Sequence, residues 1–207
     1  MHPSTEEPSL LNTTTLTGLA TLLTITTSAY LLSLRLLPST TTRKLRAFYI
    51  WHLADSLVHF ILEGSYLYNC FFTFTSRPPL TSDYPHPASL SSASVIHFLN
   101  RPDRIYGSNQ GTNIFAKLWQ DYAKADRRWG GADVTIISLE ILTVVLGGPL
   151  ALYVAELIRR GGGGGRAGRD SGRDSAKLWF WGSLLACGEL YGGFMVCIQG
   201  LWCVFVY

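Results

Sequence analysis

The chain has few charges and few cysteines for its length. Only 15% of its 207 residues are charged, and the net charge is +3. The four cysteines, Cys70, Cys187, Cys197 and Cys203, lie in or beside apolar runs without metal-ligand spacing, which excludes a zinc site and a disulfide framework. Lys and Arg form no basic face with interleaved aromatic residues, so a nucleic-acid partner is not expected. The composition favours a membrane protein of one domain.

Long apolar runs make up much of the chain. A helix needs about 20 predominantly apolar residues to cross a bilayer. The predicted spans are residues 16–34, 47–74, 134–157 and 178–207. Between and before them we predict a disordered luminal tail (1–15), a low-complexity loop (76–112) and a Gly-rich linker (159–177). The expected fold class is therefore an all-α membrane protein, a bundle of four transmembrane helices.

Three further patterns lie along the chain. Residues 114–129 carry Trp, Tyr and aliphatic residues at helical spacing, which predicts an amphipathic helix in the membrane interface. Gly147, Gly148 and Pro149 predict a kink in the third span. His86 and His97 have no partner at a useful spacing, so we interpret both as solvated.

The basic residues predict the orientation. The loops after the first and third spans carry four and six Lys or Arg, and the first 15 residues carry none. Short basic loops remain in the cytosol. The amino terminus is therefore predicted to be luminal.

The second predicted span carries four ionisable residues, His52, Asp55, His59 and Glu63. At about 100° per residue, His59 and Glu63 point within roughly 20° of His52, and Asp55 lies about 60° to one side. Such residues usually face a bundle interior and mark a functional site, and His59 and Glu63 can share a proton at their i, i+4 spacing. The alternative is a polar clamp between helices without chemistry. Helical spacing does not decide between the two.

Four sequence blocks stand in a characteristic order. They are VHFILEG (residues 58–64), LWQDYAKADRRW (118–129), TIISLEILTVVLGGPLALYV (135–154) and CGELYGG (187–193). Together they resemble the emopamil-binding protein family, the sterol Δ8-Δ7 isomerases of the EXPERA domain group. That family has a fifth helix, with a pocket Trp and an Asn, for which this sequence has no counterpart. The resemblance therefore predicts a bundle that lacks the family's fifth helix.

The resemblance implies roles for eight residues. His59, Glu63 and Glu140 match catalytic positions, and Tyr122, Trp129, Thr143, Glu189 and Tyr191 are expected to bind substrate. For the aromatic residues, packing or interface anchoring is the alternative. The sequence also departs from the family: Glu189 stands where Gln is usual, Gly193 where Asp is usual, and Trp129 where Tyr is usual. His52 and Asp55 are absent from the animal pattern.

The implied reaction is a sterol Δ8-Δ7 isomerisation at the endoplasmic reticulum membrane. Moving the double bond needs an acid, a cationic intermediate and a base, but no cofactor and no metal. A low-dielectric pocket favours the neutral form of one carboxyl, while a second carboxylate beside a histidine stays charged. Because coupled groups share protons, the donor is not assigned.

The expected partners are a sterol from the bilayer, hydrophobic amines as competing ligands, and membrane lipid. The sequence is also compatible with a homodimer. The alternative function is a non-catalytic EXPERA-type sterol or amine binder, or a truncated inactive paralogue.

Overall fold

The computed structural model describes residues 12–77, 97–161 and 169–206, and within these ranges the chain is mainly helical. The helices are α1 (Thr13–Leu36), α2 (Arg43–Val58), α3 (Gly64–Phe72), α4 (Ile114–Tyr122), α5 (Val134–Leu142), α6 (Gly148–Gly161) and α7 (Arg169–Val206). Two short strands, β1 (Phe74–Ser76) and β2 (Arg104–Tyr106), pair in antiparallel register, with Thr75 opposite Ile105.

Three helical stretches among the described residues are long and apolar enough to cross a membrane. They are Thr13–Leu36, Val134–Gly161 and Ser175–Cys197, which correspond to the first, third and fourth predicted spans. The all-α membrane class is thus confirmed. The second predicted span is helical from Arg43 to Phe72 but does not belong to this group. Its ionisable side chains make it less apolar than the other three. A bundle of four spans stays a prediction.

Two π-helical turns interrupt the helices. One, His59–Glu63, lies between α2 and α3, and the other, Thr143–Gly147, lies between α5 and α6. Such turns are rare in proteins, and those that occur are often found at functional sites. The second turn precedes Pro149, whose ring would clash with the carbonyl four residues earlier in a regular α-helix. The predicted kink therefore takes the form of a π turn.

The chain forms two compact units. The first comprises the chain up to His59 together with residues 147–188, and the second comprises residues 60–146 and the chain from Glu189 onward. Each unit has its own buried cluster of hydrophobic residues.

The core of the first unit is mainly aliphatic and built from small residues. On α1 the buried residues are Ile25, Ala29 and Ser33, which recur every four positions and form one stripe. The core cluster consists of Ala29, Leu37, Tyr49, Leu53, Ala151, Val154, Ala155, Ile158 and Leu185. Small residues let membrane helices approach closely, so these helices pack as expected for bilayer-spanning segments.

Polar contacts fix the ends of the helices in the first unit. The Arg46 guanidinium donates to the Ser33 carbonyl oxygen at 2.6 Å and to the Pro38 carbonyl oxygen at 3.1 Å. A positive charge at this end of α1 is favoured by the helix dipole. The buried Ser56 hydroxyl donates to the Gly148 carbonyl oxygen at 2.9 Å, which ties α2 to the start of α6.

The many threonines of α1 bond to their own helix. The hydroxyls of Thr17, Thr21, Thr24 and Thr26 each donate to the carbonyl oxygen four residues earlier, at 2.7 to 2.9 Å. A polar group in a bilayer must find a partner within the protein. These bonds explain how a threonine-rich segment forms an apolar span.

The core of the second unit is aromatic. Its buried residues are Tyr66, Cys70, Trp119, Trp129, Ile136 and Ile137. The rings of Trp119 and Trp129 stack with centroids 5.1 Å apart and planes at 9°, and Tyr66 meets both edge-on. The Trp119 indole N–H donates to the Ser65 hydroxyl at 2.9 Å. This bond satisfies the polar atom of a buried ring.

The predicted loop 76–112 is partly ordered. Residues 78–96 lie outside the described residues, but Ser76 belongs to β1 and the rest holds β2 and two short 3₁₀ turns, Phe98–Asn100 and Ser108–Gln110. Gly107 has φ 123°, and a Cβ there would lie 2.6 Å from the Gly131 Cα, so only glycine fits. Gln120 donates to the Ser108 and Gly111 carbonyl oxygens. Contacts distant in sequence therefore order a segment that has no periodicity of its own.

The other predicted boundaries also shift. Residues 1–11 and 162–168 of the predicted tail and linker lie outside the described residues, but α1 begins at Thr13 because the Asn12 side chain caps it. The linker is helical at 159–161 and 169–177. The predicted amphipathic helix 114–129 ends at Tyr122, and a 3₁₀ turn, Arg127–Gly130, follows.

Candidate functional site

His59 is a buried residue of the first unit, with 6% of its surface exposed. Its Nε2 atom lies 3.6 Å from Oδ2 of Asp55, one helical turn earlier. This distance exceeds a hydrogen bond, so the interaction is electrostatic and strongest when His59 is protonated. From helical spacing, Asp55 was predicted to lie to one side of the polar face. The i, i+4 spacing of Asp55 and His59 was the signal for this pair, because residues four apart are neighbours on a helix.

Two residues of the first unit complete the surroundings of His59. A Cβ on Gly147 would lie 3.4 Å from His59 Nε2, so the backbone at Gly147 approaches that edge of the imidazole closely. His52, one turn before Asp55, stacks on Phe48 with ring centroids 6.4 Å apart. The Nδ1 atom of His52 is buried and has no hydrogen-bond partner among the described residues.

Glu63 is bonded to Thr143 in the second unit. The Thr143 hydroxyl donates to Glu63 Oε2 at 2.5 Å and lies 3.1 Å from the backbone carbonyl oxygen of Glu140. Glu140 itself is buried, with 6% exposed, one helical turn before Thr143. Thr143 was predicted to bind substrate, and the structure adds a direct bond to a predicted catalytic carboxyl.

The Thr143 hydroxyl can serve Glu63 in both protonation states. A hydroxyl has one hydrogen and two acceptor sites. When Glu63 is ionised, the hydroxyl donates to the carboxylate. When Glu63 is protonated, the carboxyl can donate to the hydroxyl oxygen, and the hydroxyl hydrogen can turn to the Glu140 carbonyl oxygen. Glu63 thus keeps a hydrogen-bond partner while it gives up and regains a proton, which suits a general acid or base.

The predicted aromatic positions differ in exposure. Trp129 is 6% exposed and packs between aromatic neighbours, so its contacts are those of a core residue. Tyr122 is 54% exposed, and its ring meets the edges of Trp119 and Trp129 at centroid distances of 5.8 and 5.2 Å. Within this aromatic cluster, Tyr122 is the predicted substrate contact that remains accessible.

The last two predicted residues lie on α7 within the second unit. Glu189 is half-buried, and Tyr191 is 63% exposed. The second unit therefore holds every predicted site residue except His59. The roles of all eight stay predictions.

A polar pair holds the turn that carries Trp129. The Arg128 guanidinium binds the Asp126 carboxylate at 2.6 Å and donates to the Val196 carbonyl oxygen at 3.3 Å. The hydrogen bond from Arg128 lowers the pKa of Asp126 below its usual range. Arg128 thus connects the turn to α7 at Val196 within the second unit.

Comparison with known proteins gives a family match and similarity to curated relatives. Residues 114–201 match the family described as EXPERA (EXPanded EBP superfamily). A protein of Oryza sativa subsp. japonica, named "Probable 3-beta-hydroxysteroid-Delta(8),Delta(7)-isomerase", is 35% identical over 54 residues, which is 26% of this chain and 25% of that relative. The chain thus spans about a quarter of the length of this curated relative.

The family match covers most of the predicted site. Residues 114–201 include Glu140, Thr143 and the four other predicted positions on α4, the 3₁₀ turn and α7, while His59 and Glu63 precede them. The resemblance found in the sequence is thereby confirmed. Over residues 114–201, this chain matches the family described as EXPERA (EXPanded EBP superfamily).

Proposed function

We propose that this protein is a sterol Δ8-Δ7 isomerase of the membrane. The observation that supports this proposal most is the bond between Thr143 and Glu63, because it joins a predicted catalytic carboxyl to a helix that carries a second one, Glu140. The similarity to a rice protein named as such an isomerase supports the same reaction. A polar clamp between helices needs only one hydrogen bond and no second carboxyl. The proposed reaction needs two proton-transferring groups, and the chain has two candidate carboxyls, Glu63 and Glu140.

The reaction consists of two proton transfers. Protonation of the sterol at C9 breaks the C8=C9 double bond and leaves a positive charge at C8. Removal of a proton from C7 then gives its electron pair to a new C7=C8 bond, and the charge disappears. We propose that Glu63 with His59, and Glu140, act as the two groups, with Thr143 holding Glu63. Because coupled groups share protons, the order of their action is not assigned.

The proposed substrate is a sterol that enters from the bilayer, and a hydrophobic amine should compete with it. The ammonium group would occupy the position where the cationic intermediate forms, and the carboxylates would stabilise it as they stabilise the transition state. Tyr122 is the accessible aromatic ring that could contact either ligand.

Expression in cells that lack their own Δ8-Δ7 isomerase tests the proposal. The wild-type chain should convert accumulated Δ8-sterols to Δ7-sterols. Glu63→Gln and Glu140→Gln should each lower conversion by about 100- to 10,000-fold, because an amide cannot transfer the proton. Glu156→Gln is the matched control, since Glu156 pairs with Arg159 and Arg160 at the end of α6. It should convert sterol at the wild-type rate.

Two results would contradict the proposal. If both site variants convert sterol as fast as wild type, the catalytic assignment is wrong. If the wild-type protein binds a hydrophobic amine but leaves the sterol unchanged, the chain is a non-catalytic binder. The presence of Glu189 where the family usually has Gln gives such a binder one more acid to hold an amine.

We also propose that the protein lies in the endoplasmic reticulum membrane with its amino terminus in the lumen. The 10 basic residues in the loops after the first and third predicted spans support this orientation. A glycosylation acceptor inserted near Gly163 should remain unmodified, while one inserted near Ser91 should be glycosylated. The opposite pattern would reverse the proposed orientation.

A further inference from the structure

We propose that Asp55 is a positioning residue for His59, which keeps the imidazole oriented and favours its protonated form. This inference rests on the proposed function and adds a residue to it. Asp55 matches no position of the animal family pattern, so the resemblance assigns it no role. The proposal therefore comes from the geometry of α2.

The carboxylate of Asp55 lies close to the imidazole of His59. Asp55 and His59 both belong to the first unit and are four residues apart on one helix, with Oδ2 and Nε2 3.6 Å apart. The Asp55 side chain is 19% exposed and that of His59 is 8% exposed. Charges in such surroundings interact more strongly than on an open surface.

The Asp55 carboxylate is itself in an unfavourable environment. Asp55 Oδ2 is buried and accepts no hydrogen bond from the described residues. A buried carboxylate oxygen is costly unless a cation is close. Protonated His59 supplies that cation, so the Asp55 charge favours the imidazolium over the neutral ring.

The orientation of the His59 ring depends on the same contact. A carboxylate beside one nitrogen of a histidine attracts a proton at that nitrogen and favours the rotamer that keeps the two groups close. Gly147 approaches the same atom, Nε2. His52 is the other titratable residue on this side of α2, but its ring stacks on Phe48. Asp55 therefore favours a proton at Nε2 of His59.

Variants of the full chain in lipid nanodiscs test the role of Asp55. Asp55→Asn keeps the shape of the side chain and removes its charge. It should lower kcat for sterol isomerisation by about 10- to 100-fold, by analogy with the range seen when a metal-bound histidine loses its outer carboxylate partner. KM should change by no more than about twofold, because Asp55 acts on His59 and not on the sterol. Asp55→Glu restores the charge and should recover part of the activity.

A spectroscopic signal separates this role from a structural one. The chain has 5 histidines, and the ¹⁵N imidazole signals of His59 can be identified by their loss in His59→Gln. At pH 7 the His59 signals should move from imidazolium towards neutral imidazole in Asp55→Asn and stay near the wild type in Asp55→Glu. Asp103→Asn, which removes an exposed carboxylate, is the control and should change neither the signals nor kcat.

The possible results are distinct. Unchanged His59 signals in Asp55→Asn overturn the proposal, whether or not kcat falls, because Asp55 then supports the fold alone. The proposal is also overturned if the imidazolium signal of His59 is lost in Asp55→Glu to the same extent as in Asp55→Asn. If the wild-type chain shows no isomerase activity but the His59 signals shift in Asp55→Asn, the pairing stands and the proposed function fails.

Discussion

The interior of each unit is stabilised by a different kind of contact. In the first unit, small and aliphatic residues such as Ala29, Ala155 and Val154 bring helices close together. In the second unit, Trp119 and Trp129 stack at the centre, and indole, amide and guanidinium groups bind neighbouring segments. The first kind of core suits a bilayer, where van der Waals packing dominates. The second depends on a few large side chains with defined partners.

This difference affects how each unit tolerates substitution. A core of many small contacts loses little when one side chain is shortened, because its neighbours carry most of the packing. A core built on a few aromatic rings loses both buried area and ring contacts when one ring is removed. Substitutions of similar burial should therefore have unequal effects in the two units.

The largest effect on stability is expected at Trp119. Trp119→Ala removes a ring that is 8% exposed and its bond to Ser65, and should destabilise the protein by about 3 to 5 kcal/mol. Val154→Ala in the first unit should cost only about 1 to 2 kcal/mol. Unfolding by SDS in mixed micelles, followed by far-ultraviolet circular dichroism, measures both.

Trp179→Ala is the control for loss of a tryptophan, because Trp179 is 69% exposed. It should leave the free energy of unfolding nearly unchanged. Equal losses for Trp119→Ala and Val154→Ala would remove the proposed difference between the two cores.

A smaller effect is expected from the Asp126 and Arg128 pair of the second unit. Because the pKa of Asp126 is lowered in the folded protein, its contribution to stability is present above the unfolded value of about 3.9. The contribution is lost as the pH falls through the lower folded value. Asp126→Asn should therefore lower the free energy of unfolding by about 1 kcal/mol at pH 7. Near pH 2 its free energy of unfolding should equal that of wild type.

Asp103→Asn gives the comparison for an exposed pair. Arg101 holds the pKa of Asp103 at about 2, but solvent screens this pair, so its removal should change the free energy of unfolding less than Asp126→Asn does. A constant difference between Asp126→Asn and wild type from pH 7 to pH 2 would show that the charge of Asp126 is not the cause.

Some parts of this protein could be predicted from its sequence because the signal is local. Apolar length marks the spans that begin near Thr13, Val134 and Ser175. Family blocks mark the candidate site residues, whose roles stay predictions, and the Gly147 to Pro149 run marks the break before α6. These features need only neighbouring residues to be recognised.

Other parts could not be predicted because their partners are distant. The pairing of Thr75 with Ile105 and the bond between Ser65 and Trp119 join segments that have no local pattern in common. The π turn at His59–Glu63 was missed because a fixed angle of about 100° per residue assumes a regular α-helix. The contact between Asp55 and His59 was not predicted, although the two residues are four apart, because the helical angles were measured from His52.

The threonine hydroxyls of α1 have a consequence for its surroundings. Thr24 and Thr26 lie on the exposed side of the helix, yet each hydroxyl hydrogen is already committed to a backbone carbonyl. These hydroxyl donors are therefore already used within the helix. They cannot donate to a second transmembrane helix or to a polar lipid group. Although α1 is rich in hydroxyl groups, it should behave towards the acyl chains as an inert segment, and hydropathy scales that count each threonine as polar underrate its preference for the membrane.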